Sequence, residues 1–160
     1  RYMKRKSLQI DYIEYDSFDE LSPEDRKVLE KAVEAADSAY APHSNFYVGA
    51  AILLEDGTMV KGSNQENAAF PSGLCAERTA AFYCNAEYPS KAMKTIAVVA
   101  KTKGNLTPTP TYPCGACLQV LVEYENKWGG KLRTIIGSAG KTLVFDSVKA
   151  LLPFSFDNLE

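Results

Sequence analysis

The chain has 160 residues, 46% of them apolar and 24% charged, with a net charge of −2. That length and balance fit one folded domain and exclude a disordered chain. The acidic balance also argues against polymeric nucleic acid as a partner, because tracking phosphates takes clustered Lys and Arg; the one dense basic run, Arg1, Lys4, Arg5 and Lys6, reads as a solvated tail.

No apolar run approaches the ~20 residues of a membrane helix, and the basic N-terminus lacks the apolar core of a secretion signal. The expectation is a cytoplasmic protein, where disulfides rarely persist. Residues 1–20 read as an extended or partly helical extension, and residues 21–160 as a single domain.

In "LSPEDRKVLEKAVEAADSAYAP", Ser22 is placed to cap a helix, Pro23 sits at its first position and Asp25 closes an approximate capping box. Val28, Leu29, Ala32, Val33, Ala36 and Ala39 make an apolar stripe at helical spacing, and Pro42 ends it. "FYVGAAILLEDGTMVKGSN" follows, with Asp56-Gly57 between two apolar runs, a hairpin signal. Helical stretches are predicted near 75–88 and 115–127. "KTIAVVAK" and "LRTIIGSA" read as buried strands, "KTLVF" as a short one, and 146–152 as a last short helix. Helices alternating with buried strands predict an α/β fold of three layers, αβα, with a central mixed sheet of five strands covered on both faces. Ligand sites in such sheets gather at strand ends and helix starts.

The four cysteines are Cys75, Cys84, Cys114 and Cys117. Both "GLCAERTA" and "PCGACLQV" fall at predicted helix starts, and Cys117 lies one turn after Cys114 on the same face. If the helices are neighbours, three sulfurs converge. Cys84 is nine residues beyond Cys75, roughly 13 Å along a helix at 1.5 Å per residue, too far to join them, and reads as a small buried apolar residue. Three protein ligands with an open fourth position is the pattern of a catalytic zinc site. Three thiolates around a dication leave a net negative charge, which weakens the pull on a bound water. Two helix N-termini and the guanidinium of Arg78 would offset it. Glu77, in the first helical turn and two residues from a ligand, is within reach of that water as a general acid–base group.

Cys75-Ala76-Glu77-Arg78 with Pro113-Cys114-Gly115-Ala116-Cys117 resembles the zinc-dependent cytidine deaminases of the short, three-cysteine type. "APHSNFYVGAA", "GSNQENAAFPSGLCAER" and "LLPFSF" extend the resemblance from about Ala41 to Phe156. It implies one zinc per chain on Cys75, Cys114 and Cys117. The implied activity is hydrolytic deamination of cytidine and 2′-deoxycytidine in pyrimidine salvage, with hydroxide attack at C4 and Glu77 as proton shuttle. It further implies a homotetramer. Asn64 and Glu66 would hold the ribose hydroxyls; being two apart in an extended segment, they point the same way. Phe46 would pack on the pyrimidine, Ala76 would contact the substrate, and Phe156 would reach the base in a neighbouring subunit's site. His43 and Phe70 depart from the pattern, since relatives often carry tyrosine there. His43, the only histidine, reads as structural.

Two other functions fit the cysteines. One is a zinc deaminase acting on another aminated pyrimidine nucleoside, such as a nucleoside antibiotic. The other is a zinc-bearing interaction module without catalysis, which leaves Glu77, Asn64 and Glu66 without a task.

Overall fold

The computed structural model describes residues 2–160; Arg1 of the basic run lies outside them. The chain forms β1 (Ile13–Tyr15), α1 (Pro23–Ala36), β2 (Tyr47–Leu54), β3 (Met59–Ser63), α2 (Ala76–Glu87), β4 (Met93–Thr102), β5 (Asn105–Leu106), α3 (Gly115–Trp128), β6 (Arg133–Ile136) and β7 (Thr142–Phe145). The strands make one sheet in the order β1-β7-β6-β4-β2-β3, with β5 added on β4. β4 and β6 run parallel across the α3 crossover, and the other pairs are antiparallel, so the sheet is mixed.

Strand alternation divides the core into two layers, as a period of two requires. Ala50, Ile52 and Leu54 of β2 and Ile96 and Val98 of β4 pack under α2 and α3 with Ala76, Ala80, Leu118, Leu121 and Val122. Ala51 and Leu53, Ala97 and Val99, and Ile135 of β6 face the other way, onto Val28, Leu29, Ala32 and Ala36 of α1. The predicted αβα layering is therefore present. The sheet has seven strands where five were expected. The two additions, β1 and β5, are three and two residues long and lie at the margins of the sheet, where no long apolar run announces them.

Three further details differ from the expectation. α1 stops at Ala36, well before Pro42, because the amides of Asp37, Ser38 and Ala39 turn back to the carbonyls of Glu34, Ala35 and Ala36 and tighten the last turn. Ala39 is thus outside the helix. The capping box is half made. Ser22 Oγ accepts from the Asp25 amide at 3.2 Å, but the buried Asp25 carboxylate is turned to Arg133 of β6, 2.8 Å from Nη2. The final short helix is a 3-10 turn, Val148–Leu151.

The hairpin turns at Asp56-Gly57, with Gly57 at a φ of 91° in the left-handed region. Gly62 has a different task. A β-carbon there would lie 2.5 Å from the Ala80 backbone nitrogen, so its absence lets α2 settle directly on β3. That contact fixes the height of the helix whose first turn carries Glu77.

Candidate active site

Cys75 and Cys114 occupy the same position in two different helices. Each is the N-cap, at φ −70° and ψ 156° for Cys75 and φ −70° and ψ 168° for Cys114, and neither side chain caps its own helix. Both sulfurs are therefore free to point away from the helix while the first-turn amides stay aimed at the same region. Cys117, buried in the first turn of α3, completes a group of three sulfurs that all lie within 4.8 Å of one another. Cys114 Sγ and Cys117 Sγ are 3.7 Å apart. A tetrahedral zinc with bonds of about 2.3 Å sets ligand sulfurs about 3.8 Å apart, so the group has the dimensions of a zinc site. It is also too wide for a disulfide, whose sulfurs lie about 2.05 Å apart.

Arg78, one turn into α2, spans the cluster. Its Nη2 donates to Cys75 Sγ at 3.3 Å and its Nε to Cys117 Sγ at 3.4 Å. A thiol hydrogen bond from Cys117, together with this guanidinium, pulls Cys75 down to about 5. Cys117 moves the other way, raised by its bond to Cys75, by burial and by the Glu77 charge. Cys75 and Cys117 thus share one favourable negative charge, and binding a dication is coupled to the loss of thiol protons. The donor set, the spacing and the offsetting guanidinium fit one zinc ion.

Glu77 is 4% exposed and sits in the first turn of α2. Burial pushes its carboxyl above the ordinary range and the neighbouring Cys75 charge adds to the rise; its own backbone amide, the Cys117 thiol and Arg78 act in the opposite direction. A carboxyl raised in that way is suited to taking and returning a proton during a reaction.

A cleft of about 470 Å³ opens beside the sulfurs, with Cys75, Arg78, Asn64, Glu66, His43 and Phe70 on its wall. Its rim is built from side chain to backbone bonds. The segment Asn64-Gln65-Glu66 is strapped on one side to Tyr40 and on the other to Leu74 by four backbone hydrogen bonds of 2.9 Å. Asn64 and Glu66 therefore point the same way, both onto the loop 43–48. Glu66 Oε1 accepts from the amides of His43 at 2.9 Å and Ser44 at 3.1 Å, while Oε2 accepts from the Ser44 hydroxyl. Asn64 Oδ1 accepts from the Val48 amide at 2.8 Å and its Nδ2 donates to the Phe46 carbonyl at 2.9 Å. The Ser44 hydroxyl bond, followed by the bonds from the two amides, holds Glu66 below the usual carboxylate range.

The cleft of one chain thus brings together Asn64, Glu66, Cys75 and Arg78. Phe46 lies half-buried in the clamped loop and is not on the cleft wall. Ala76 is fully buried at the start of α2. Phe156 lies elsewhere: it is 70% exposed, and its carbonyl accepts from Gln119 of α3 at 2.6 Å. His43 stacks edge-on against Phe70, with centroids 5.8 Å apart at 72°. Sequence reasoning missed Ser44, whose hydroxyl and amide both serve Glu66. A signal is present in retrospect. Asn45 has a φ of 55°, and Ser-Asn before an apolar strand is a turn pair.

A three-layer αβα fold with three thiolates at two helix starts and a buried carboxyl beside them defines a zinc-dependent deaminase. The family model for the zinc-binding region of cytidine and deoxycytidylate deaminases matches residues 22–128, and the chain belongs to that family. It is 39% identical over 130 residues to a cytidine deaminase of Sporosarcina psychrophila, covering 81% of this chain and 89% of that one. It is 47% identical over 100 residues to a cytidine deaminase of Halalkalibacterium halodurans, covering 62% and 71%. Among solved structures, cytidine deaminase from Burkholderia pseudomallei superposes with a TM-score of 0.68 at 37% identity, over 81% of this chain and 97% of that one. The enzyme from Mycobacterium tuberculosis gives 0.65 at 31% identity, over 82% and 96%. Among the described residues no helix is long and apolar enough to cross a membrane.

Proposed function

We propose that the chain removes the exocyclic amine of cytidine and of 2′-deoxycytidine by hydrolysis, yielding uridine or deoxyuridine and ammonia. The observation that carries the reading is the buried Glu77 carboxyl beside the three-sulfur cluster, whose Cys75 lines a cleft that also holds the polar groups of Asn64 and Glu66. Cys75, Cys114 and Cys117 would hold the zinc, which when bound supplies a Lewis acid that makes water a nucleophile near neutral pH. Glu77 takes a proton from the attacking water and delivers it to N3 of the base as the new oxygen bond forms at C4; it then takes the proton of the new C4 hydroxyl and delivers it to the departing nitrogen, so that the C4–N bond breaks as the C4 carbonyl forms. Water and cytidine are consumed, ammonia and uridine leave, and Glu77 ends in its starting state.

The other residues position. Arg78 holds two of the sulfurs and balances their charge. Asn64 and Glu66 offer an amide and a carboxylate to the ribose hydroxyls while anchoring the 43–48 loop that carries Phe46; packing on the pyrimidine requires that ring to turn from its half-buried place onto the cleft wall. Ala76, at the first position of α2, lends backbone to the base. Phe156 lies outside its own chain's cleft, which suits service in a neighbour's site within a homotetramer. The proposed task is in pyrimidine salvage, with uridine as a product that such a pathway reuses, and the proposed location is cytoplasmic.

The test follows the loss of cytidine absorbance with and without a chelator, beside a zinc count and a panel of aminated pyrimidine nucleosides. One zinc per chain with chelator-sensitive uridine formation is expected. Ammonia release from a different member of the panel alone would move the substrate. One zinc with no release from any member would make the protein a non-catalytic zinc module.

A further inference from the structure

The segment before β1 is unlike the rest of the surface. Leu8, Ile10 and Tyr12 alternate with Gln9 and Asp11, a half-buried strand pattern, yet the three apolar side chains are 59%, 42% and 55% exposed. The Gln9 amide donates to Asp11 at 2.7 Å, so the polar members share the other side. The alternation stops at Tyr12, whose ring tilts against Phe145 with centroids 5.3 Å apart; Ile13, Glu14 and Tyr15, in the opposite phase, pair with Val144, Leu143 and Thr142 of β7. β1 is the outermost strand, so its second edge carries free backbone donors and acceptors. No proline or glycine interrupts residues 2–16.

Charge supplies the partner. The N-terminal end holds Lys4, Arg5 and Lys6, and the other end holds Glu14 and Asp16. We infer that residues 4–16 of two copies of this chain pair antiparallel about a two-fold axis through Ile10, joining the two sheets edge to edge. In this register Lys4 faces Asp16, Lys6 faces Glu14, Leu8 faces Tyr12 and Ile10 faces Ile10 on one side of the ribbon. On the other side Arg5 faces Tyr15, Ser7 faces Ile13 and Gln9 faces Asp11. Sliding by two residues leaves one lysine–acid pair and sets an apolar residue against a charge; sliding by one sends the apolar row to the opposite side. A parallel arrangement sets lysine against lysine, which is unfavourable. Lys141 already lies by Asp16 at 2.5 Å and Glu14 at 3.5 Å; both acids are at least half exposed and can take a second cation from the other copy.

Cysteine substitution at the axis tests the pairing in the zinc-loaded full chain. Opposed residues of an antiparallel pair have Cα atoms about 4.5–5.5 Å apart, inside the disulfide range. Under a mild oxidant Ile10→Cys is expected to form a covalent dimer, while Gln9→Cys and Asp11→Cys dimerise only when mixed. Adding Lys4→Glu with Lys6→Glu to Ile10→Cys should lower the dimer yield at least about fivefold, since both opposite-charge pairings, each made twice about the axis, become like-charge pairs. Hydrogen exchange of amides 4–12 in the otherwise unaltered chain should quicken with the same two reversals. Ile10→Cys dimers no more abundant than those of Gln9→Cys alone, or exchange indifferent to the charge reversals, would overturn the inference.

Discussion

The two ends of α2 carry cysteines that behave as different residues. Cys75, at the N-cap, is drawn down to about 5 by a thiol hydrogen bond from Cys117 and by the Arg78 guanidinium beside it. Cys84, nine residues on, is buried among Val60, Ala80, Ala81 and Leu121 of the core, and burial pushes it up to about 11. The backbone is the same helix. What separates them is whether the environment supplies positive charge or only apolar contact, and that decides between ligand and filler.

The largest expected effects break the first end. Cys117→Ser should abolish zinc content and activity together, because the substituted hydroxyl is a poor ligand in a buried site. Glu77→Gln should keep the zinc count and lower turnover at least ~10²-fold, the low end for acid–base catalysis. Zinc analysis beside steady-state kinetics checks both. Near-normal turnover in Glu77→Gln would remove the carboxyl from its role and leave the N-cap end as a metal site alone.

Glu66→Gln acts one step away, on the cleft rim. It keeps the shape but removes the charge that the His43 and Ser44 amides and the Ser44 hydroxyl bind. The rim loses a charged partner for its hydrogen bonds, so kcat/KM should fall roughly tenfold or more, chiefly through KM, with zinc unchanged. A variant with unaltered KM would mean that the rim is scaffolding and not a grip on the ligand.

The two ends also differ in how far the sequence announces them. Cys75, Glu77, Cys114 and Cys117 are readable because metal chemistry restricts residue type and spacing at helix starts, and capping geometry then does the rest. The direction of Asn64 and Glu66 was readable from strand alternation. Their partners were less so: the 43–48 loop is held mostly by backbone groups, which every residue has, so the Ser44-Asn45 pair marks a turn there without marking the Ser44 hydroxyl as the second half of the clamp. β1 was hidden for a related reason. Its three residues pair with β7 through backbone bonds at an edge, and their side chains are largely exposed, so burial left no pattern to find.

The smallest effect concerns Cys84, where a change should leave catalysis untouched and alter only the pH dependence of stability. In the unfolded chain this thiol ionises near its ordinary value of 9, and in the folded chain near 11. Below pH 9 both states are neutral and the site contributes its packing. As pH rises from about 9 to 11 the unfolded state gains the thiolate first, so the folded state loses relative stability, on the order of 2 kcal/mol by the upper end. Cys84→Ala removes that titration. At pH 7 it should be the less stable protein, because a buried sulfur is replaced by a gap. The difference from the parent should shrink as pH climbs past 9, with kcat, KM and zinc content equal throughout. Denaturant midpoints of the two proteins at pH 7, 9 and 10.5 measure it, and at neutral pH the parent's Cys84 should resist iodoacetamide until the fold is opened. A pH-independent gap between the two midpoints would mean that Cys84 is not held away from solvent, and the contrast along α2 would reduce to the charges at its N-terminal end.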